Sequence, residues 1–156
     1  MSVVSLGEEE KRLVEELQQL AAQQREWSEF DTCDAIILRA LREIGGYRYG
    51  DYRAQQLTAA GYPDFTFLPD TPHTWYLEAK ALRTNLEDRH AVQALNYANA
   101  TGRRWVVLSN GWEWRLYDQD LRGEPADKLV ATATLENAAT LVEFLSWRRG
   151  SARRNT

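Results

Sequence analysis

With 156 residues, 44% of them apolar, the chain has the length of one ordinary domain and enough apolar residues for one continuous core. Its single cysteine, Cys33, excludes an internal disulfide, and its two histidines, His73 and His90, lack zinc-ligand spacing. No basic, apolar leader opens it and no apolar run nears the roughly 20 residues of a membrane helix, so a cytoplasmic protein with no membrane partner is expected.

The net charge of -4 resides in residues 1–30, which hold seven acids and three bases, and the other 126 residues are balanced. In that first segment Leu6, Leu13, Leu20 and Trp27 recur every seven residues with Val14 and Leu17 beside them, which predicts a helix with an apolar seam. Such a seam lies on its own domain or pairs with another helix, and its negative charge disfavours close parallel pairing. A second helix is expected from Ser28, as N-cap, to Gly45, with Ile37, Leu38, Leu41 and Ile44 inward. The stretches 51–59, 63–68 and 74–82 predict three strands, the last two joined by the turn signal Pro69-Asp70-Thr71-Pro72.

Thr84 and Glu87 form a capping-box pattern that would open a helix closing at Gly102. Two strands are expected around Asn110-Gly111, a strong hairpin signal, then a strand in 128–134 and a last helix in 135–147. There is no repeat, no interdomain linker and no phosphate-binding GxxxxGK.

The chemistry concentrates in residues 61–82. On a strand Tyr76, Glu78 and Lys80 share one face while Leu77, Ala79 and Ala81 share the other, the apolar one. Asp64, on the preceding strand of an antiparallel hairpin, can stand beside Glu78, and two adjacent carboxylates repel unless a cation lies between them. A hard ion such as Mg2+ is held by one or two carboxylates plus waters and phosphate oxygens. Lys80 is one of only three lysines beside sixteen arginines, and a compact ammonium suits a place next to a metal-bound water better than a planar guanidinium. The alternative is a solvated strand face on which Glu78 and Lys80 have no chemistry.

Pro63-Asp64 followed by Glu78-Ala79-Lys80 resembles the signature of the PD-(D/E)XK nuclease superfamily. The run from Tyr76 to Leu82, with that from Gln93 to Asp118, is similar to the N-terminal domain of type I restriction enzyme R subunits and their standalone relatives, a similarity spanning roughly residues 28–118. The resemblance implies that Asp64, Glu78 and the Ala79 carbonyl hold Mg2+, or Mn2+, and that Lys80 acts on the attacking water. It implies that Gln93 and Tyr97, as a Q-x-x-x-Y element, line the site and touch the substrate backbone. Glu29 matches an acid placed near the metal, or is a first-turn acid favoured by the helix dipole. Arg83, Arg89 and His90 are candidates for phosphate contact, with solvated surface charge as the alternative, and Arg148, Arg149, Arg153 and Arg154 for an electrostatic DNA contact, with a mobile tail as the alternative. Trp112 and Trp114 read as core.

The fold expected is therefore α/β, a restriction-endonuclease-like mixed central sheet flanked by helices. The division expected is an N-terminal helical extension over 1–27, the nuclease-like domain over 28–147 and a basic tail over 148–156. The function expected is metal-dependent hydrolysis of DNA, restriction or defence related, with RNA or a structured substrate also open. The other reading is a catalytically silent nucleic-acid-binding or assembly module. Expected partners are DNA, a homodimer partner through the N-terminal helix, and a separate ATPase or recognition subunit, since the chain has no phosphate loop of its own.

Overall fold

The computed structural model describes residues 6–23, 26–54 and 63–154, the last eight of these by backbone alone. A six-stranded sheet runs in chain order, β1 (Tyr52–Ala54), β2 (Phe65–Phe67), β3 (Trp75–Ala79), β4 (Trp105–Ser109), β5 (Glu113–Asp118) and β6 (Leu129–Thr134). Every neighbouring pair is antiparallel except β3 and β4, which are parallel. A parallel pair needs a crossover connection. Here it contains α4 (Val92–Ala100).

Helices cover both faces of this mixed α/β sheet. On one face α1 (Glu8–Gln23), α3 (Leu38–Glu43) and α5 (Ala138–Arg154) enclose a core with Phe67, Trp75, Leu77, Val107, Trp114 and Leu116 from the strands. On the other, α4 lays Ala94, Leu95 and Ala98 over Tyr76, Val106, Leu108 and Tyr117. β3 is thus buried throughout, Glu78 included. The Tyr76 face is not the solvated strand face of the alternative reading, because the crossover helix roofs it. Trp114 is core, and Trp112 packs partly buried on the same cluster.

The seam of α1 faces the chain's own core. Leu13, Val14 and Leu17 are buried, Leu6, Leu20 and Trp27 pack beside them, and Gln18 Nε2 donates to the Leu135 carbonyl at 2.8 Å. The expected homodimer contact through this seam is corrected accordingly: the apolar face that would form it is covered by α5 and its neighbours. α1 belongs to the domain core.

Ser28 caps α2 (Glu29–Thr32) as expected, its Oγ accepting the Asp31 N–H at 3.0 Å. The helix runs on through a π turn, Cys33–Ile37, into α3, and it is Gly46, with φ +83°, not Gly45, that turns the chain away. The helix expected from Thr84 starts later. Asn110 Nδ2 donates to the Thr84 carbonyl and holds residues 81–84 as a turn, so Glu87 caps a short 3-10 turn, Asp88–Ala91, that leads into α4. At the other end Gly102, φ +70°, closes α4.

The part of the first predicted strand beyond Ala54 lies outside the described residues. The stretch expected as a basic tail continues the backbone of α5 as far as Arg154. Among the described residues no helix is long and apolar enough to cross a membrane.

Candidate active site

Where β2 begins, the register that pairs Phe65 with Leu77 carries Asp64 opposite Glu78. Asp64 is not itself on the strand but in the bend before it, after the buried Pro63, whose missing N–H suits the end of a ladder. Its carboxylate continues the pairing: Asp64 Oδ2 accepts the Ala79 N–H at 2.7 Å. On the other side the Lys80 N–H donates to the Ser109 carbonyl at 2.8 Å, so β4 holds the backbone just past β3. Glu78, Ala79 and Lys80 are fixed from both flanks.

Glu78 is 6% exposed. Its Oε2 lies 3.6 Å from Lys80 Nζ, while its Oε1 is buried without a hydrogen-bond partner. Burial pushes its pKa from 4.5 to about 7, Asp64 and Glu29 add to the rise, and Lys80 opposes it. Asp64 is likewise raised by burial, against the Ala79 hydrogen bond and Lys80. Glu29, solvent-exposed as a whole residue, has its carboxyl raised by partial burial and by Asp64, with Lys80 opposing. These three carboxyls and Lys80 therefore share one field. Protein groups leave it short of positive charge, since one ammonium faces three acids and one buried oxygen has no donor.

Across the sheet face, Tyr97 meets Tyr76 edge to face with ring centroids 5.0 Å apart. Gln93, one helical turn earlier, is exposed on the same side of α4. Arg83 is exposed in the turn following β3. Arg148, Arg149, Arg153 and Arg154 lie where the backbone alone is described.

Two supports escaped the sequence reading. Thr32, fully buried, accepts the Leu82 N–H on Oγ1 at 3.0 Å and donates to the Ser28 carbonyl at 2.8 Å, tying the segment after Lys80 to the helix that carries Glu29. Gly111, φ +87°, lies so close that a Cβ there would stand 2.9 Å from Thr32 Cγ2. The hairpin turn is therefore pressed against this tie. A local signal existed only for Gly111, in the Asn-Gly pair; nothing near Thr32 announces a contact fifty residues away.

No three His, Cys, Asp or Glu side chains among the described residues form a ready-made cage for a metal. Asp64 and Glu78 instead provide the carboxylate pair on which a hard divalent ion relies when waters and substrate oxygens complete its shell. Glu78 Oε1, the buried oxygen without a donor, fits such an ion. Comparison of the chain with protein-family models, with curated proteins and with solved structures finds no match.

Proposed function

We propose that the protein is a metal-dependent nuclease of the PD-(D/E)XK type, with a restriction-endonuclease-like fold, that hydrolyses phosphodiester bonds in DNA. The observation that carries this reading is the pairing of the half-buried Asp64 with the buried Glu78, with Lys80 3.6 Å from one Glu78 oxygen and no hydrogen-bond donor on the other. A fold that needed only stability gains little from burying one acid beside a second, half-buried one, whereas a site for a cation and a polyanion needs them there.

Asp64 and Glu78 would hold Mg2+ or Mn2+, with the Ala79 carbonyl and Glu29 as the further ligand candidates. The ion, when bound, would offset the carboxylates and stabilise charge developing on the phosphate. Lys80 orients the attacking water and, by its compact positive charge, favours loss of that water's proton. Asp64 keeps its orientation through the Ala79 N–H, so the carboxylate is set before substrate arrives. Gln93 and Tyr97 line the α4 wall toward the substrate backbone, and Arg83 stands at the exposed turn for a phosphate contact. Because β3 and β4 are parallel, the acids and Lys80 gather at the C-terminal ends of two parallel strands, where open α/β sheets commonly bind ligands.

The test is incubation of the full chain with plasmid, linear duplex, single-stranded DNA and RNA, each with Mg2+, Mn2+ or EDTA. Cleavage that needs the divalent ion and disappears in Asp64→Asn supports the reading, and the preferred substrate defines its class. Retained binding of nucleic acid with no cleavage under any of these conditions would establish a silent binding module instead.

A further inference from the structure

His90, Gln93 and Tyr97 follow one another at i, i+3 and i+7 along the 3-10 turn and α4, which sets them in one stripe. Both ends of that stripe have a reference on β3. Tyr97 touches Tyr76, and His90 lies within electrostatic reach of Lys80. Since Tyr76, Glu78 and Lys80 share a face, the stripe runs antiparallel to the strand, with Tyr97 at Tyr76 and His90 toward Lys80.

The His90 ring is held by its own turn. Nδ1 accepts the Glu87 N–H at 3.0 Å, which fixes the proton of the neutral imidazole on Nε2. Among the described residues no acceptor takes that Nε2–H. The surroundings favour the neutral ring: partial burial lowers its pKa, Arg89, Lys80 and Arg115 lower it further, and Glu87 opposes them. A ring whose Nδ1 lone pair is engaged and whose Nε2 is protonated has no free base to offer. It has one donor, on the turn that leads into α4 and at the Lys80 end of the stripe.

We propose that His90 positions the substrate, its Nε2–H donating to a non-bridging oxygen of a phosphodiester on the Lys80 side of the site. This inference rests on the nuclease reading above and assigns a substrate contact outside the Asp64, Glu78, Lys80, Gln93 and Tyr97 set. The contact is neutral, so it differs from an Arg or Lys contact in a measurable way. It contributes affinity without releasing a counterion from the duplex.

Two substitutions separate this role from the capping role of the same ring. His90→Asn keeps an acceptor near Nδ1 for the Glu87 N–H but has nothing at the Nε2 position. His90→Gln extends an amide N–H toward that position and gives up the Nδ1 acceptor. Binding of a fluorescein-labelled duplex to the full chain is measured by anisotropy in EDTA, where no cleavage occurs, over a series of salt concentrations, with Tm recorded for each variant. We expect His90→Asn to bind about tenfold more weakly with nearly the parent Tm and an unchanged salt slope. His90→Gln should bind within about twofold of the parent at a lower Tm. Parent-like binding by His90→Asn, or a salt slope reduced by about one, would overturn the neutral-donor assignment while leaving the nuclease reading intact. A parent chain that neither binds duplex in this assay nor cleaves any nucleic acid with Mg2+ or Mn2+ would overturn both.

Discussion

Glu78→Gln tests the site through the fold itself, with no need for a substrate. In the folded chain burial, then Asp64, hold this carboxyl near 7 instead of 4.5. A group whose folded pKa lies above its unfolded value binds its proton more tightly in the folded state. The fold therefore loses stability as pH rises from the unfolded value through the folded one. At about 1.4 kcal/mol per tenfold change in proton affinity, the penalty approaches about 3 kcal/mol above pH 7 and is about 1 kcal/mol or less near pH 5. Gln keeps the shape and cannot ionise. Lys80, its ammonium partly exposed, stays hydrated when its partner is neutral, so little of the gain is lost there. The variant should be more stable than the parent by up to about 3 kcal/mol at pH 8, roughly 5–10 °C in Tm for a chain of this size, with most of that difference gone at pH 5. Thermal unfolding followed by circular dichroism in EDTA at both pH values reads this directly. Adding Mg2+ should then raise the Tm of the parent and not that of the variant. A variant less stable than the parent at pH 8, or a difference independent of pH, would refute the claim that Glu78 is a buried acid short of a cation.

Asp64→Asn should abolish cleavage and leave Tm near the parent or above it, since the amide oxygen can still accept the Ala79 N–H; Asp64→Ala should lose about 1–3 kcal/mol, read by urea unfolding, because that N–H is left without an acceptor. Lys80→Arg should cut DNA at a small fraction of the parent rate with its charge intact, and parent-like rates would reduce Lys80 to a general electrostatic role. Gly111→Ala, at φ +87° and 2.9 Å from Thr32, should cost stability and also slow cleavage by shifting the tie to Leu82; thermal unfolding and the plasmid assay together check it. Leu17→Ala should cost about 2–5 kcal/mol at any protein concentration, because its side chain is core; a cost that varied with protein concentration, with a dimer-to-monomer shift in sedimentation, would return α1 to an interface.

The elements that local chemistry marks were legible in the sequence: the Ser28 cap, the Asn110-Gly111 hairpin, the Gly102 stop, and the alternation that puts Tyr76, Glu78 and Lys80 on one face. So was the meeting of Asp64 with Glu78, which follows from hairpin pairing. What the sequence left open was which surfaces are covered. In α1 the seven-residue spacing of Leu6, Leu13 and Leu20 looks like a pairing seam, but Val14 and Leu17 widen it to the broad stripe of a helix lying on its own domain. The capping pattern at Thr84 was a sound local signal that lost to Asn110, twenty-six residues away.

The burial of Glu78 has the same origin and the larger consequence. Trp75, Tyr76 and Leu77 in unbroken succession are what a strand covered on both faces requires, and such strands belong to parallel pairs under crossover helices. Once β3 pairs parallel with β4, the connection has to pass over the sheet, and α4 is that connection. The helix laid over the Tyr76 face of β3 is therefore the one that carries Gln93 and Tyr97 and follows directly on His90. The cover over this face of β3 and the wall proposed for the substrate therefore share one topological origin. A substitution that lifts α4 from Tyr76, such as Ala98→Asp in its buried face, should lower the pKa of Glu78 toward its ordinary value and weaken DNA binding together. Measured separately, by the pH dependence of Tm and by anisotropy, the two effects should move in step. If either changed alone, the acid and the wall would be independent features of the fold, and the reading of α4 as their common cause would fail.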